Sequence, residues 1–230
     1  MSKISGREMA KSLNATVQRY FELGLLEGES CANIGTATAQ LNRAKKNTTW
    51  EYSVSKGAPI VFKERTDPRD NNKFNPLIMV EKISVDTDAE FPYREWVTVL
   101  VLKYKDRERS CPRWHFDLGN SGQPGPRLHL QYGGHYHEDD RGLDETLKIP
   151  RWSKFPLDTI LLMEVVAANF FEETWKGQLR DDPSLTKYIK LSEGLCYDVF
   201  SKKLSSYLEN IDGDQARTTF LGGCWNDNWA

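Results

Sequence analysis

The sequence predicts an α+β fold: an antiparallel meander sheet packed by a buried helix from the C-terminal half of the chain, with flanking helices. Three observations predict it. Hydrophobic residues recur at helical spacing near the N-terminus, alternate with polar residues through the middle, and return to helical spacing after Pro150. Because the strands follow one another with short connections and no intervening helix, we expect antiparallel neighbours within a single α+β domain, residues 1–230.

Residues 1–47 are expected to form an N-terminal helical segment. From Ser5 to about residue 27 the apolar residues lie three and four apart, which predicts one amphipathic helix with Ser5 as its N-cap and Glu8 three places on. Residues 36–46 are polar and rich in small side chains, so they support at most a short surface helix or a loop.

The sheet is expected within residues 48–150. Residues 94–104 are apolar on both faces at their centre, which is typical of an interior strand that is covered on both sides. Polar turns separate the other predicted strands, which are residues 49–55, 60–64 and 77–85 and two histidine-bearing segments.

A helical layer is expected over residues 151–212. Residues 160–171 are apolar almost all the way round, which predicts a buried helix across the sheet, with Asp158 near its start. Glu164 interrupts this helix; because a buried carboxylate needs a partner, we expect an arginine from the sheet to pair with it. Residues 185–208 predict one or two further helices.

Composition and charge exclude several classes of protein. With 39% hydrophobic residues the chain can bury a substantial core, and a net charge of -2 argues against a strongly basic protein that coats nucleic acid. The chain has no long apolar run and no secretory hydrophobic region at its start, so we expect a cytoplasmic protein without membrane contact. The spacing of the four cysteines indicates reduced thiols rather than a zinc knuckle or disulfides.

Two of the four histidines occupy matching frames, residues 113–117 and 127–131. Each frame alternates polar and apolar residues, so a strand places its polar side chains on one face and its Trp, Phe or Leu side chains in the core. If the two strands are neighbours, both polar triplets share one surface. The triplets are Arg113, His115 and Asp117 in the first frame and Arg127, His129 and Gln131 in the second.

This shared surface is the candidate catalytic site. Imidazoles exchange protons near pH 7, so His115 and His129 would serve as acid and base, with Asp117 fixing a tautomer. Such a set suits metal-free cleavage of RNA, in which the 2′-hydroxyl is the internal nucleophile. The alternative is a solvated sheet face with ordinary cross-strand pairs. The residues that would bind the substrate phosphate are Arg113, Arg127 and Gln131.

A second candidate site is His135-Tyr136-His137, which three acidic residues follow. The two rings lie on one side of an extended segment, and nearby acids would complete a divalent metal site with His135 and His137 as ligands. An exposed loop is the alternative. The first candidate site needs no cofactor.

The chain ends in an aromatic tail, residues 213–230, which contains Trp225 and Trp229. Disordered tails are poor in aromatic residues, so this segment is expected either to pack on its own domain or to dock on a partner protein.

The order Trp114-His115-Phe116-Asp117, a Pro-rich turn, Arg127-Leu128-His129-Leu130-Gln131 and then a buried helix resembles small bacterial proteins of the TumE type. Those proteins occur in toxin–antitoxin and phage-defence settings and carry a compact sheet with a His-rich hairpin. The resemblance covers roughly residues 77–173 and implies a bacterial cytosolic setting and a toxin activity on nucleic acid or nucleotide. This chain is longer at both ends and lacks a long run of consecutive histidines.

These patterns lead to two main hypotheses. The first is a ribonuclease- or phosphodiesterase-like effector of a bacterial defence or toxin system. The second is a non-catalytic subunit that binds a partner protein or nucleic acid through the sheet face or the tail. A third is a metal-dependent hydrolase that uses His135 and His137.

Overall fold

The computed structural model describes residues 4–45, 47–68, 70–105, 111–119, 126–133 and 152–209. They form helices and an antiparallel sheet, so the predicted α+β fold is confirmed. Helix α4 continues into a π-helical turn, Trp175–Leu179. The helices of the described residues are α1 (Gly6–Glu22), α2 (Glu29–Asn42), α3 (Thr159–Phe170), α4 (Glu172–Thr174) and α5 (Pro183–Glu209).

The strands of the described residues form one antiparallel sheet in the order β1-β4-β5-β6-β7-β8, with β2 and β3 also paired to β4. From β4 to β8, spatial order follows sequence order, as expected for a meander. The strands are β1 (Thr49–Val54), β2 (Ile60–Val61), β3 (Arg65–Thr66), β4 (Lys73–Asp86), β5 (Tyr93–Tyr104), β6 (Arg113–Leu118), β7 (Leu128–Tyr132) and β8 (Trp152–Ser153).

Helix α1 begins where the sequence predicts. Ser5 caps it, and the Ser5 side chain and the Glu8 carboxylate each accept a hydrogen bond from the other residue's backbone N–H. These bonds satisfy two N–H groups that the first helical turn leaves unpaired. The Ser5 N–H and the Ser5 hydroxyl both donate to the Glu8 carboxylate and lower its pKa. The helix ends at Glu22, before the predicted end near residue 27.

Helix α2 is longer and more buried than the sequence suggests. It begins at Glu29 and buries Ile34, Ala37 and Leu41. Its buried face consists mainly of small residues, so the hydrophobic pattern is weak although the packing is close. The start of α1 meets its end so closely that a Cβ atom on Gly6 would lie 2.6 Å from the carbonyl oxygen of Leu41.

The helices cover one face of the sheet. The main core combines helix residues such as Leu13 and Ile160 with strand residues such as Ile78, Leu100 and Phe116. The opposite side, here called the second face, has its own apolar cluster to which no described helix contributes. That cluster consists of Leu77, Met79, Val99, Val101 and Cys111, with Val61 and Val97 packed against it.

The partner of Glu164 differs from the predicted arginine. The Tyr20 hydroxyl donates to one carboxylate oxygen of Glu164 at 2.5 Å, and the Trp175 indole N–H donates to the other at 2.8 Å. Glu164 is only half-buried. Two neutral donors from neighbouring helices therefore satisfy it, and a charged partner from the sheet is not needed.

Two further helix predictions agree with the structure, whereas the range expected to be helical from residue 151 begins with strand β8, Trp152–Ser153. The Asp158 carboxylate caps α3 by accepting the Leu161 N–H at 2.9 Å. The segment predicted as one or two helices is the single helix α5. Among the described residues, no helix has the length and apolarity needed to cross a membrane.

Candidate functional site

The two histidine-bearing frames lie on adjacent antiparallel strands. In the β6–β7 register, Asp117 is opposite His129 and His115 is opposite Gln131. The apolar side chains of both strands belong to the helix-covered core, as the alternation predicts. The polar side chains of β6 and β7 therefore share the second face.

On the second face, the polar side chains of β6 lie next to apolar side chains of β5. In the β5–β6 register, Arg113 is opposite Val101, His115 is opposite Val99, and Asp117 is opposite Val97. The valine side chains belong to or pack on the apolar cluster of the second face. The polar groups therefore lie at the edge of a buried apolar cluster, where the low dielectric constant strengthens electrostatic interactions.

Asp117 and His129 form a polar pair across the two strands of the site. Oδ2 of Asp117 lies 3.8 Å from Nε2 of His129, and Nδ1 of the same ring lies 3.0 Å from the carbonyl oxygen of Pro126. Because a carbonyl oxygen only accepts, Nδ1 carries a proton and donates it in this contact. Nε2 is then the nitrogen that takes up or releases a proton beside the carboxylate.

Exposure divides the site into two layers. The His129 side chain is 1% exposed and Arg113 is 1% exposed, whereas the Asp117 side chain is 23% exposed and His115 is half-buried. Within the described residues, the partly exposed side chains of the site are therefore His115, Asp117, Arg127 and Gln131, and Nε2 of His115 and Oδ1 of Asp117 are themselves buried. Arg113 and His129 lie behind them.

The two arginines predicted to clamp a phosphate lie far apart. The Gly133 N–H donates to the Arg113 carbonyl at 2.9 Å and the Gly119 N–H donates to the Arg127 carbonyl at 2.6 Å, so the arginines mark opposite ends of the strand pair. Six strand positions correspond to about 20 Å. The Arg127 guanidinium instead lies 4.6 Å from the centre of the Phe91 ring. Arg113 and Arg127 are not brought together.

Several predicted functional residues lie outside the described residues: His135 and His137 of the metal hypothesis, and Trp225 and Trp229 of the tail. In the part of the chain that is described, no group of three or more His, Cys, Asp or Glu side chains is arranged to hold a metal ion. The placed candidates are therefore Arg113, His115, Asp117, Arg127, His129 and Gln131.

A cleft on the second face was missed by the sequence predictions. It has a volume of about 1100 Å³ and lies beside the end of β6 where Arg113 stands. Leu77 and Cys111 form part of its apolar floor, and Lys103 and Lys105 contribute cationic side chains. Lys103 and Val101 alternate with core residues on β5, a signal that could have placed this lysine on the face of Arg113.

A buried polar group near α3 was also missed. Asp158 is fully buried, and this burial raises the pKa of its carboxyl to about 6. Beside it, the Tyr52 hydroxyl and the Thr159 hydroxyl lie 2.9 Å apart. Asp158 was predicted only to start a helix, because its sequence neighbours give no sign that α5 covers it.

Comparison of the chain with known protein families, curated proteins and solved structures identified no match.

Proposed function

We propose that the chain cleaves RNA phosphodiester bonds without a metal ion, as an effector of a bacterial defence or toxin system. The observation that carries this proposal is the β6–β7 register, which puts His115, Asp117 and His129 on one sheet face beside a buried cation, Arg113. The bacterial setting rests on the resemblance to TumE-type proteins.

The exposure of the side chains suggests a division of labour. His115 and Asp117 are two positions apart on β6, or about 6.7 Å, and both are partly exposed. One can therefore take the proton from the 2′-hydroxyl while the other gives a proton to the 5′-oxygen. His129 lies deeper against Asp117 and acts as a positioning residue, which modifies the sequence hypothesis that His129 reacts directly.

In the proposed reaction, the 2′-oxygen forms a bond to phosphorus and the bond from phosphorus to the 5′-oxygen breaks. The 2′-hydroxyl proton passes to the base, and the acid protonates the departing 5′-oxygen. The products are a 2′,3′-cyclic phosphate and a 5′-hydroxyl. The Arg113 guanidinium keeps its positive charge when buried, so it favours the negative charge that develops on the phosphoryl oxygens.

The test is cleavage of end-labelled RNA and of DNA of the same sequence by the purified full chain in EDTA. DNA lacks the 2′-hydroxyl, so only RNA should be cut. We expect His115→Asn and Asp117→Asn each to lower kcat by about 10² to 10⁴. The matched control is His135→Asn/His137→Asn, which removes two histidines from the alternative metal site and should leave cleavage in EDTA unchanged.

His129 needs a variant that preserves the fold. His129→Asn keeps a side-chain N–H able to donate to the Pro126 carbonyl, and it removes the titrating ring. We expect a loss of about 10- to 100-fold in kcat, a displaced limb in the pH–rate profile, and an unchanged KM. Cleavage of neither nucleic acid by the folded protein, or equal rates for His115→Asn and the parent chain, would refute the proposed activity.

The second hypothesis, a non-catalytic subunit, is favoured by a different observation. Arg113 and His129 are almost fully buried, as expected of structural residues, while Trp152 on strand β8 is 66% exposed. A subunit of this kind would bind RNA or a partner protein without cutting it. Retained binding by the parent chain and by Trp152→Ala alike would remove the support that Trp152 gives to this hypothesis.

A further inference from the structure

The cleft on the second face is built from one end of the β4–β5 pair, where Asn75 is opposite Lys103, and from the loops before it. Its volume is about 1100 Å³. Apolar side chains form part of its lining, and charged side chains surround them. The lining residues that carry the inference are Lys56, Glu64, Leu77, Lys103, Lys105 and Cys111.

The cleft lies on the same sheet face as the proposed catalytic residues. Leu77 is opposite Val101, and Val101 is opposite Arg113, so three neighbouring strands link the cleft floor to β6. The Leu102 N–H donates to the Pro112 carbonyl at 2.9 Å, which extends this pairing and places Lys103 beside Cys111. Cys111 and His115 are four strand positions apart, which corresponds to about 13 Å.

Of the three carboxylates that line the cleft, Glu64 and Glu27 are paired with lysines, whereas Glu29 is exposed. Lys73 contacts one oxygen of Glu64 at 2.8 Å, and Lys105 contacts the other. Glu27, also in the lining, pairs with Lys63 at 2.6 Å.

Lys103 is the cation best placed for an added ligand. It is exposed, and within the described residues it has no carboxylate at ion-pair distance. A phosphate at this lysine would therefore not have to displace an existing ion pair.

We infer that this cleft binds the backbone of a single-stranded RNA whose scissile bond lies at His115, with a phosphate of the same strand at Lys103. The inference rests on the proposed function. A distance of about 13 Å is longer than one nucleotide, whose rise along a stacked strand is ~3.4 Å. A mononucleotide cannot span it. A single strand fits because its 2′-hydroxyl can rotate in line with the departing 5′-oxygen, and because unpaired RNA is the form whose backbone can follow a groove.

The binding test uses fluorescein-labelled 2′-O-methyl RNA of two, four and eight nucleotides, which cannot be cleaved through its 2′-position, and the full chain in EDTA. Fluorescence anisotropy gives the Kd at several salt concentrations. For Lys103→Glu we expect Kd for the longer strands to rise about tenfold and the salt slope to fall by about one. Lys190→Glu, the same change at an exposed lysine of α5, should bind like the parent chain.

Three results would overturn the inference: no binding of any strand, equal Kd for Lys103→Glu and Lys190→Glu, or equal Kd for two and eight nucleotides. Circular dichroism verifies that both variants are folded, and Lys103→Gln separates loss of charge from charge reversal. Steady-state cleavage distinguishes this inference from the proposed function. Binding through Lys103 without any cleavage refutes the catalytic proposal and the scissile position at His115 but leaves the cleft as an RNA-binding site, whereas cleavage with an unchanged KM in Lys103→Glu refutes the cleft alone.

Discussion

Asp117 and His129 face each other across β6 and β7, with Oδ2 of the carboxylate 3.8 Å from Nε2 of the ring. On its other side, the ring meets the Pro126 carbonyl through Nδ1 at 3.0 Å. The backbone contact thus fixes the ring, and the carboxylate faces the nitrogen that is left to exchange a proton.

We predict that neutral His129 carries its proton on Nδ1. In water the Nε2–H tautomer of histidine is usually favoured, so the Pro126 contact should reverse the preference. Long-range ¹H–¹⁵N spectra of the ¹⁵N-histidine-labelled chain, recorded at alkaline pH, report the tautomer, and the signals missing in His129→Asn assign the ring. An Nε2–H pattern for His129 would show that the Pro126 contact does not form in solution.

The alternation of polar and apolar residues made much of this site predictable. A two-residue period sends Trp114 and Phe116 into the core and His115 to the second face, whatever the sheet packs against. Short connections then make β6 and β7 neighbours. The depth of each side chain could not be predicted, because the burial of Arg113 and His129 depends on contacts that are distant in sequence.

The incorrect predictions for the partners of Arg127 and Glu164 also have physical causes. Arg127 shares its sequence frame with His129. Its guanidinium nevertheless packs on the ring of Phe91, which is more than thirty positions away in the sequence. Glu164 looked like a charge in need of an arginine, but hydroxyl and indole donors on other helices satisfy it. Sequence spacing indicates which side of an element a residue occupies. It does not identify the partner that comes from elsewhere in the chain.

Tyr20→Phe should destabilise the fold by about 1 to 3 kcal/mol, because it removes a donor from the half-buried Glu164 carboxylate. In the Glu164→Gln background the same change should cost less, since the amide carries no charge. Urea unfolding of the four proteins of this double-mutant cycle gives the coupling energy. Tyr188→Phe serves as the control for loss of a tyrosine hydroxyl, and additive effects of Tyr20→Phe and Glu164→Gln would contradict the proposed coupling.

Asp182→Ala should cost about 1 to 2 kcal/mol, mainly through loss of the cap of α5. The carboxylate accepts the Ser184 backbone N–H at 2.8 Å and the Ser184 hydroxyl at 2.6 Å, and it also meets Arg19 at 2.8 Å. Asp182→Asn keeps a capping oxygen, so it should cost less. Arg19→Met should cost under about 1 kcal/mol because the arginine is 35% exposed. Thermal unfolding would contradict this ranking if Arg19→Met proved the most harmful change.

These Asp182 contacts also give stability a dependence on pH. The Ser184 hydroxyl contributes most to lowering the pKa of Asp182, and the Arg19 guanidinium adds to it. A carboxyl whose pKa is lower in the folded than in the unfolded chain stabilises the fold above its unfolded pKa, and this contribution is lost as the pH falls through the folded pKa. The stability advantage of the parent chain over Asp182→Ala should therefore shrink on acidification, and an advantage that stays constant down to pH 2 would contradict the assignment.

Asp158 should impose the opposite dependence on pH. Burial raises its folded pKa to about 6 from an ordinary value of 3.8, against the lowering effect of the Leu161 N–H. Between these values the unfolded chain releases a proton that the folded chain keeps, so the free energy of unfolding falls as the pH rises. The fall approaches about 3 kcal/mol and ends above pH 6. Burial also raises the pKa values of the neighbouring Cys196 and Tyr52, so these groups do not titrate in that window.

The variant Asp158→Asn isolates this effect. Its amide oxygen can still cap α3 through the Leu161 N–H, but it has no proton to release. Relative to the parent chain, its stability should therefore rise between pH 4 and pH 6 and stay constant from pH 7 to pH 8. Urea unfolding at each pH measures the difference. Parallel stability curves for the two proteins would mean that the Asp158 carboxyl is ionised in the fold as readily as in water, which is incompatible with its burial between the sheet and α5.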